Sequence, residues 1–248
     1  MAVPSTNKKK TIKKTAPNIL TIDIGGSNIK ATVLNSHGKI VEPYKKEPTP
    51  NPATPIAVIA AIKKLATQFT TFDKISVGFP GYVKDGIVHT APNLGKGWAN
   101  TDLAKKLSTI FKKPVRLVND ADLQGLGVAK GKGFEIVITV GTGFGTAFLL
   151  DGKLLPHMEL AHHPLNGKKD YDNYIGEATL LRIGKKEWKK RMQRVLGILV
   201  TVFNYDHLYI SGGNADLLTF RLAKNISIVS NKDGIKGGAR LWNDSIHV

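Results

Sequence analysis

No cysteine occurs among the 248 residues, which removes disulfides, thiolate metal sites and thiol nucleophiles together. No apolar run approaches about 18 residues, so no membrane span is expected. The lysines near the N-terminus are not followed by an apolar stretch, so a secretory signal is not expected either. Carboxylates are missing from residues 1–16, which hold five lysines: Lys8, Lys9, Lys10, Lys13 and Lys14. Zinc-finger, RNP-type and basic-zipper signatures are missing too, which leaves no recognised nucleic-acid module. Together these absences lead to the expectation of a soluble cytoplasmic chain with neither membrane nor nucleic acid as partner.

What is present is ordinary in one respect and unusual in another. A hydrophobic content of 42% and this length suit one compact or two small domains. The net charge of +17 is high, and the tail supplies only five of those charges, so the remainder is itself basic. Such charge favours a polyanion (nucleic acid, anionic lipid, nucleotide or polyphosphate) or serves solubility alone. Residues 1–16 have the composition of a disordered tail.

One pattern occurs twice. The first copy runs Asp23-Ile24-Gly25-Gly26-Ser27-Asn28-Ile29-Lys30, and the second Gly141-Thr142-Gly143-Phe144-Gly145-Thr146. Each joins two aliphatic runs through a tight glycine turn, and each second run closes in Gly-Lys (Gly38-Lys39, Gly152-Lys153). Glycine lets backbone N–H groups approach an oxyanion closely, because no Cβ intervenes. Two such hairpins imply two halves closing on one phosphate-rich ligand.

Around these hairpins the chain alternates strands and helices, which implies an α/β protein with a cleft between two lobes. The prolines from Pro43 to Pro55 predict an extended crossing rather than a regular element. Helical spacing follows over residues 56–70, a strand over 74–79 ends at Pro80-Gly81, and a short helix from Thr101, its N-cap, runs to Phe111. A buried strand over 115–118 delivers Asn119-Asp120 at its C-terminal end, where sites in open α/β sheets tend to lie. Four glycines between Gly125 and Gly133 predict a loop or hinge. A polar stretch covers 157–173, and a long amphipathic helix runs from Glu177 to about Tyr205, with Val200 on its apolar face. Residues 208–210 are the last expected core strand. The expected lobes are 17–124, with 236–248 packing back on it, and 125–235.

Five segments in order resemble the ROK sugar kinase family of the actin-like ATPase superfamily, with its ribonuclease H-like two-lobed fold. They are the Asp23–Lys30 loop, Gly78-Phe79-Pro80-Gly81-Tyr82-Val83, Val118-Asn119-Asp120-Ala121-Asp122, Gly141–Gly145 and Ser211-Gly212-Gly213. A narrower likeness is to polyphosphate/ATP glucokinases. It rests on the run from Pro48 to Pro55, on Asn93-Leu94-Gly95-Lys96-Gly97-Trp98 and on Lys185-Lys186-Glu187-Trp188. The cysteine cluster that binds zinc in many family members is absent.

The resemblance implies a phosphotransferase acting on the 6-hydroxyl of glucose, with Asp120 as general base. A sugar hydroxyl needs such a base because its own pKa lies far above neutrality. The residues alone also allow Asp120 a capping role. Asn119 would hold the sugar through its amide, together with Gly81, Asn93, Glu159, His162 and Glu177. Glu159-Leu160-Ala161-His162 is similar to the family's Glu-x-Gly-His clamp, with alanine in place of glycine and a second histidine, His163, alongside. Read without the family, the histidine pair is surface loop and Glu177 a helix-start acid favoured by the macrodipole. Asp23 would orient Mg²⁺, mostly through water. Gly25, Gly26, Ser27, Lys30, Gly141, Thr142, Gly143, Gly145, Gly212 and Gly213 would meet the phosphates or the nucleotide, although Lys30 also reads as a solvated strand lysine.

The short stretch after Gly213 leaves little chain for an adenine pocket, and the Lys185–Arg194 run is basic. Both favour polyphosphate as donor, alone or beside ATP, although that run also reads as the solvated face of a helix. The alternatives are an ATP-dependent kinase for mannose, fructose or N-acetylmannosamine, and a non-catalytic polyanion- or nucleotide-binding member. A family repressor would need an N-terminal helix-turn-helix, for which residues 1–18 offer no room. A homodimer is the family expectation.

Overall fold

The computed structural model describes residues 16–243. The basic tail expected at 1–16 therefore lies, but for its last residue, outside the described residues, as do 244–248. The first sheet is built from β1 (Ile19–Ile24), β2 (Asn28–Leu34), β3 (Ile40–Pro48), β4 (Lys74–Phe79) and the strand at Val115–Asn119. Between β3 and β4 the chain forms α1 (Pro55–Ala66). After β4 come a small sheet of β5 (Val83–Lys84), β6 (Ile87–Val88) and β7 (Thr101–Asp102), then α2 (Leu103–Phe111) and β8 (Val115–Asn119). The order is β3-β2-β1-β4-β8, antiparallel through the β1–β2–β3 meander and parallel from β1 to β4 to β8.

The second sheet repeats this plan. After α3 (Asp120–Val128) come β9 (Phe134–Val140), β10 (Phe144–Leu150) and β11 (Lys153–Leu154). A small hairpin, β12 (Pro164–Asn166) and β13 (Lys169–Asp170), leads to α4 (Tyr171–Ile175) and α5 (Glu177–Phe203). Then follow β14 (His207–Ser211), β15 (Ile226–Ile228), α6 (Asn231–Gly234) and α7 (Gly237–Arg240). The order β11-β10-β9-β14-β15 again places an antiparallel hairpin beside parallel strands. The two glycine turns thus occupy equivalent positions, β1–β2 in one sheet and β9–β10 in the other.

Each sheet has its own core. Leu20, Ile22, Ile24, Val58, Ile62 and Phe79 pack between the first sheet and its helices, while Ile136, Ile138, Trp188, Met192 and Leu199 pack on the second. A third cluster, with Leu123, Leu126, Val137 and Ala147, joins α3 to the second sheet. The last described segment returns to the first sheet: Ser76 Oγ donates to the Gly238 carbonyl at 2.6 Å and receives Trp242 Nε1 at 2.9 Å. None of the helices in the described residues is long and apolar enough to cross a membrane.

The structure departs from the sequence expectations in several places. The extended crossing expected from Glu42 is strand β3 as far as Pro48. It lies at the sheet edge, where prolines cost no interior ladder bond, and its register shifts twice. The glycine loop expected from Gly125 begins later, because α3 continues to Val128. A Cβ on Gly125 would sit 2.7 Å from that of Ala147, and one on Gly127 would strike the Gly234 carbonyl, so these glycines serve close packing rather than flexibility. The cap of α2 is Asp102, accepting from Lys105 N at 2.9 Å, and Thr101 belongs to β7. Helix α5 breaks at Gly184 (φ 77°), and Val200 is 45% exposed rather than on the apolar face. Strand β15 follows the expected last strand and pairs parallel to it.

Candidate active site

Strand register brings the chemistry together. Asp23 lies opposite Gly78, Gly78 opposite Val118, and Phe79 opposite Asn119. The first glycine turn, the Pro80-Gly81 turn and the start of α3 therefore emerge side by side at the carboxyl ends of β1, β4 and β8. In the second sheet Thr139 lies opposite Ser211, which sets Gly212 against Val140 and Gly141 beside Gly213. A cavity of about 260 Å³ lies where the two sets of loops meet.

Many of the expected residues line this cleft: Gly25, Gly26, Gly81, Asn93, Asn119 and Asp120 from one side, and Gly141–Gly145, Glu159, His162 and Gly212 from the other. Others do not. Asp23 faces Lys30 across the β1–β2 ladder just behind the turn, and Ser27 and Lys30 are exposed at the rim. Gly213 is not part of the lining. Glu177 is exposed at the start of α5, its backbone N–H donating to the Gly141 carbonyl at 2.9 Å. Of the two histidines, His162 lines the cleft while His163 lies toward the Tyr171 ring, 6.5 Å away.

Asn119 and Asp120 divide the work at the end of β8. Asn119 caps α3, its Oδ1 accepting from Ala121 N at 2.7 Å and Asp122 N at 3.3 Å. Its Nδ2 donates to the Gly81 carbonyl at 3.1 Å, which leaves one amide N–H for a ligand. Asp120 accepts from the adjacent Ala121 N at 2.9 Å. Burial pushes the Asp120 carboxyl up to about 7, and the charge of Asp23 adds to the push against the Ala121 bond. Burial raises Asp23 as well, opposed by Lys30.

Glycine is demanded at specific points. A Cβ on Gly81 would collide with the Thr90 carbonyl, and one on Gly212, at φ +103°, would collide with the Val140 backbone. In the second turn, Gly141 N bonds Gly143 O at 3.1 Å, holding the loop tight.

Two features escaped the sequence reading. Asp172, on α4, lines the cleft and accepts Phe144 N at 2.6 Å, and a Cβ on Gly143 would press on its carboxylate. His157 sits between Asp122 (2.8 Å) and Glu159 (3.3 Å). Their only sequence signal was membership of the polar stretch 157–173.

The donor chemistry suits a hard cation, since Asp23 and Asp120 place carboxylate oxygens within mutual electrostatic reach. No group of three or more His, Asp or Glu placed for a metal occurs among the described residues. A magnesium ion here would be held by one or two carboxylates, water and the phosphates.

With this geometry in hand, comparison with known proteins is direct. The model of the ROK family matches residues 19–165. A polyphosphate glucokinase of Mycobacterium leprae (strain TN) is 32% identical, aligning 88% of this chain with 72% of that protein. The polyphosphate glucokinase of Mycobacterium tuberculosis (strain ATCC 25618 / H37Rv) is 31% identical over 88% of each. The crystal structure of an inorganic polyphosphate/ATP-glucomannokinase from Arthrobacter sp. strain KM superposes with a TM-score of 0.82 at 32% identity, covering 90% of this chain and 97% of that one. The fold is accordingly the two-lobed actin-like ATPase fold, and the chain belongs to the ROK family.

Proposed function

We propose that the cleft transfers a phosphoryl group from polyphosphate, ATP or both to the 6-hydroxyl of glucose, with Asp120 as general base. One observation carries the reading: Asn119 performs the helix capping, so the Asp120 carboxylate next to it is directed into the cleft between the two glycine turns. A base with a pKa near 7 is matched to accepting a proton at neutral pH as the hydroxyl attacks.

On the sugar side the reading uses Gly81, Asn93, the free N–H of Asn119, Glu159 and His162. On the donor side the backbone N–H groups of Gly26, Thr142 and Gly143 would meet phosphate oxygens, in turns held by the Gly25, Gly141 and Gly145 amides through Asn28 O, Gly143 O and Thr139 Oγ1, with Gly212 alongside and Ser27 and Lys30 exposed nearby. Magnesium, when bound near Asp23, would supply positive charge against the transferred group. The first sheet with the return at 236–243 and the second sheet would be the two lobes that close over the sugar and exclude water as competing acceptor. The names of the relatives and the basic charge support polyphosphate as a donor.

The test is glucose phosphorylation measured side by side with ATP and long-chain polyphosphate, with mannose as a second acceptor and light scattering for the expected homodimer. Turnover that depends on Asp120 supports the reading. No turnover with either donor and any common hexose would overturn it.

A further inference from the structure

A second cavity, of about 660 Å³, lies behind the cleft, with Asn119 as the shared wall. The two acids at the start of α3 part company there: Asp120 lines the cleft, and Asp122 lines the rear cavity. Beside Asp122 stands His157, its side chain only 7% exposed. Nδ1 is hydrogen-bonded to Asp122 Oδ2 at 2.8 Å, while Nε2 faces Glu159 Oε1 at 3.3 Å as an ion-pair contact outside hydrogen-bond alignment. The ring is stacked with Tyr82 at 6.1 Å and 17°, and Tyr82 is in turn stacked with His89 at 5.1 Å.

We propose that His157 is the positioning residue of the sugar site, a strut that ties Glu159 to the helix beginning at Asp120. The inference rests on the reading of the cleft as a hexose-phosphorylating site and adds the group that holds its acceptor carboxylate. A protonated imidazole has two N–H donors and no acceptor, the complement of two flanking carboxylates. Asp122 stands in the first turn of α3, which follows β8 of the first sheet, and Glu159 in the segment after β11 of the second, so one ring links the two. Held this way, Glu159 remains ionised and acceptor-only, suited to sugar hydroxyl donors, at a set distance from the base.

The electrostatics agree. Burial alone would lower the imidazole, but its two carboxylate partners override this and push it up to about 10. The same contact holds Glu159 below the usual carboxylate range against its burial. Other groups facing the ring are few: Tyr82 by stacking, Lys84 and Asp85 on the same cavity wall, His89 beyond Tyr82, and His162 on the far side of Glu159.

The experiment follows the glucose KM and kcat from pH 6.5 to 10.5 in the wild type, His157→Asn, His157→Gln and Asp122→Asn, with calorimetric glucose titration in the absence of donor. In the wild type KM should stay flat and then climb as pH approaches about 10, where the ring loses its proton. Both His157 variants should raise KM at pH 7.5 about tenfold, change kcat less than about threefold, and lose the alkaline climb. Asp122→Asn should move that climb down by roughly one pH unit or more, a shift that a merely structural role would not produce. Unchanged glucose affinity in folded His157 variants, or a flat wild-type KM through pH 10.5, would overturn the inference. A wild type that binds glucose but transfers no phosphate would overturn the proposed function alone, since the titration still reads the strut.

Discussion

Asn119 and Asp120 are neighbours with opposite duties: the amide of the first secures the helix N-terminus at 2.7 and 3.3 Å, and the carboxylate of the second faces the cleft. Because the cap is amide-borne, removing the charge at 120 leaves the helix start intact. Asp120→Asn should therefore fold and bind glucose while kcat falls by about 10²- to 10⁴-fold, the usual worth of a positioned base. Coupled-assay turnover alongside circular dichroism checks this, and near-wild-type kcat would refute the assignment.

The same carboxylate sets a pH window. Its folded value near 7 lies above the unfolded 3.8, so the native state binds the extra proton between these values. Stability from this group is full below about 4 and is lost as pH rises through 7, while activity runs the other way. kcat/KM should drop on the acid side with an apparent pKa near 7. Melting temperatures should show Asp120→Asn gaining on the wild type from pH 4 to pH 8.

At Gly81 the constraint is steric. An added methyl meets the Thr90 carbonyl, in a strap also held by Tyr82 N to Thr90 Oγ1 at 3.0 Å and by Asn119 Nδ2 to Gly81 O. Gly81→Ala should cost about 1–3 kcal/mol in denaturant unfolding, as overpacking does. It should also raise the glucose KM, because the strap borders Asn119. Wild-type stability in this variant would show that the strap yields freely.

Asp172 anchors the second glycine turn through Phe144 N at 2.6 Å. Asp172→Ala strands that amide, at about 1–3 kcal/mol. The turn then loosens, so KM for the phosphoryl donor should rise more than KM for glucose. Donor titrations at saturating glucose read this, and equal effects on both substrates would count against it.

Legibility followed the range of the interactions. Both glycine hairpins could be read because a tight turn between aliphatic runs is a local demand, met by Gly25-Gly26 and Gly141–Gly145. Asp120 could be placed because it directly follows an obvious strand, β8. The His157 contact could not, since Asp122 stands 35 positions earlier and only folding joins them. Asp172 was hidden for the same reason, 28 positions from Phe144. Gly125 and Gly127 misled because glycine is a breaker by itself, whereas here the close approach of Ala147 and Gly234 demands it inside a helix. Pro43 misled likewise, since whether a strand is an edge is decided by its neighbours.

Helix α3 touches both sheets with almost no slack. Leu123 and Asp120 crowd Gly78 of β4, and Gly125 abuts Ala147 of β10. An axle fitted this closely on each side cannot slide, so any jaw-like movement of the halves must swing around it. Asp120 at its tip is thereby held, with the helix, against both sheets.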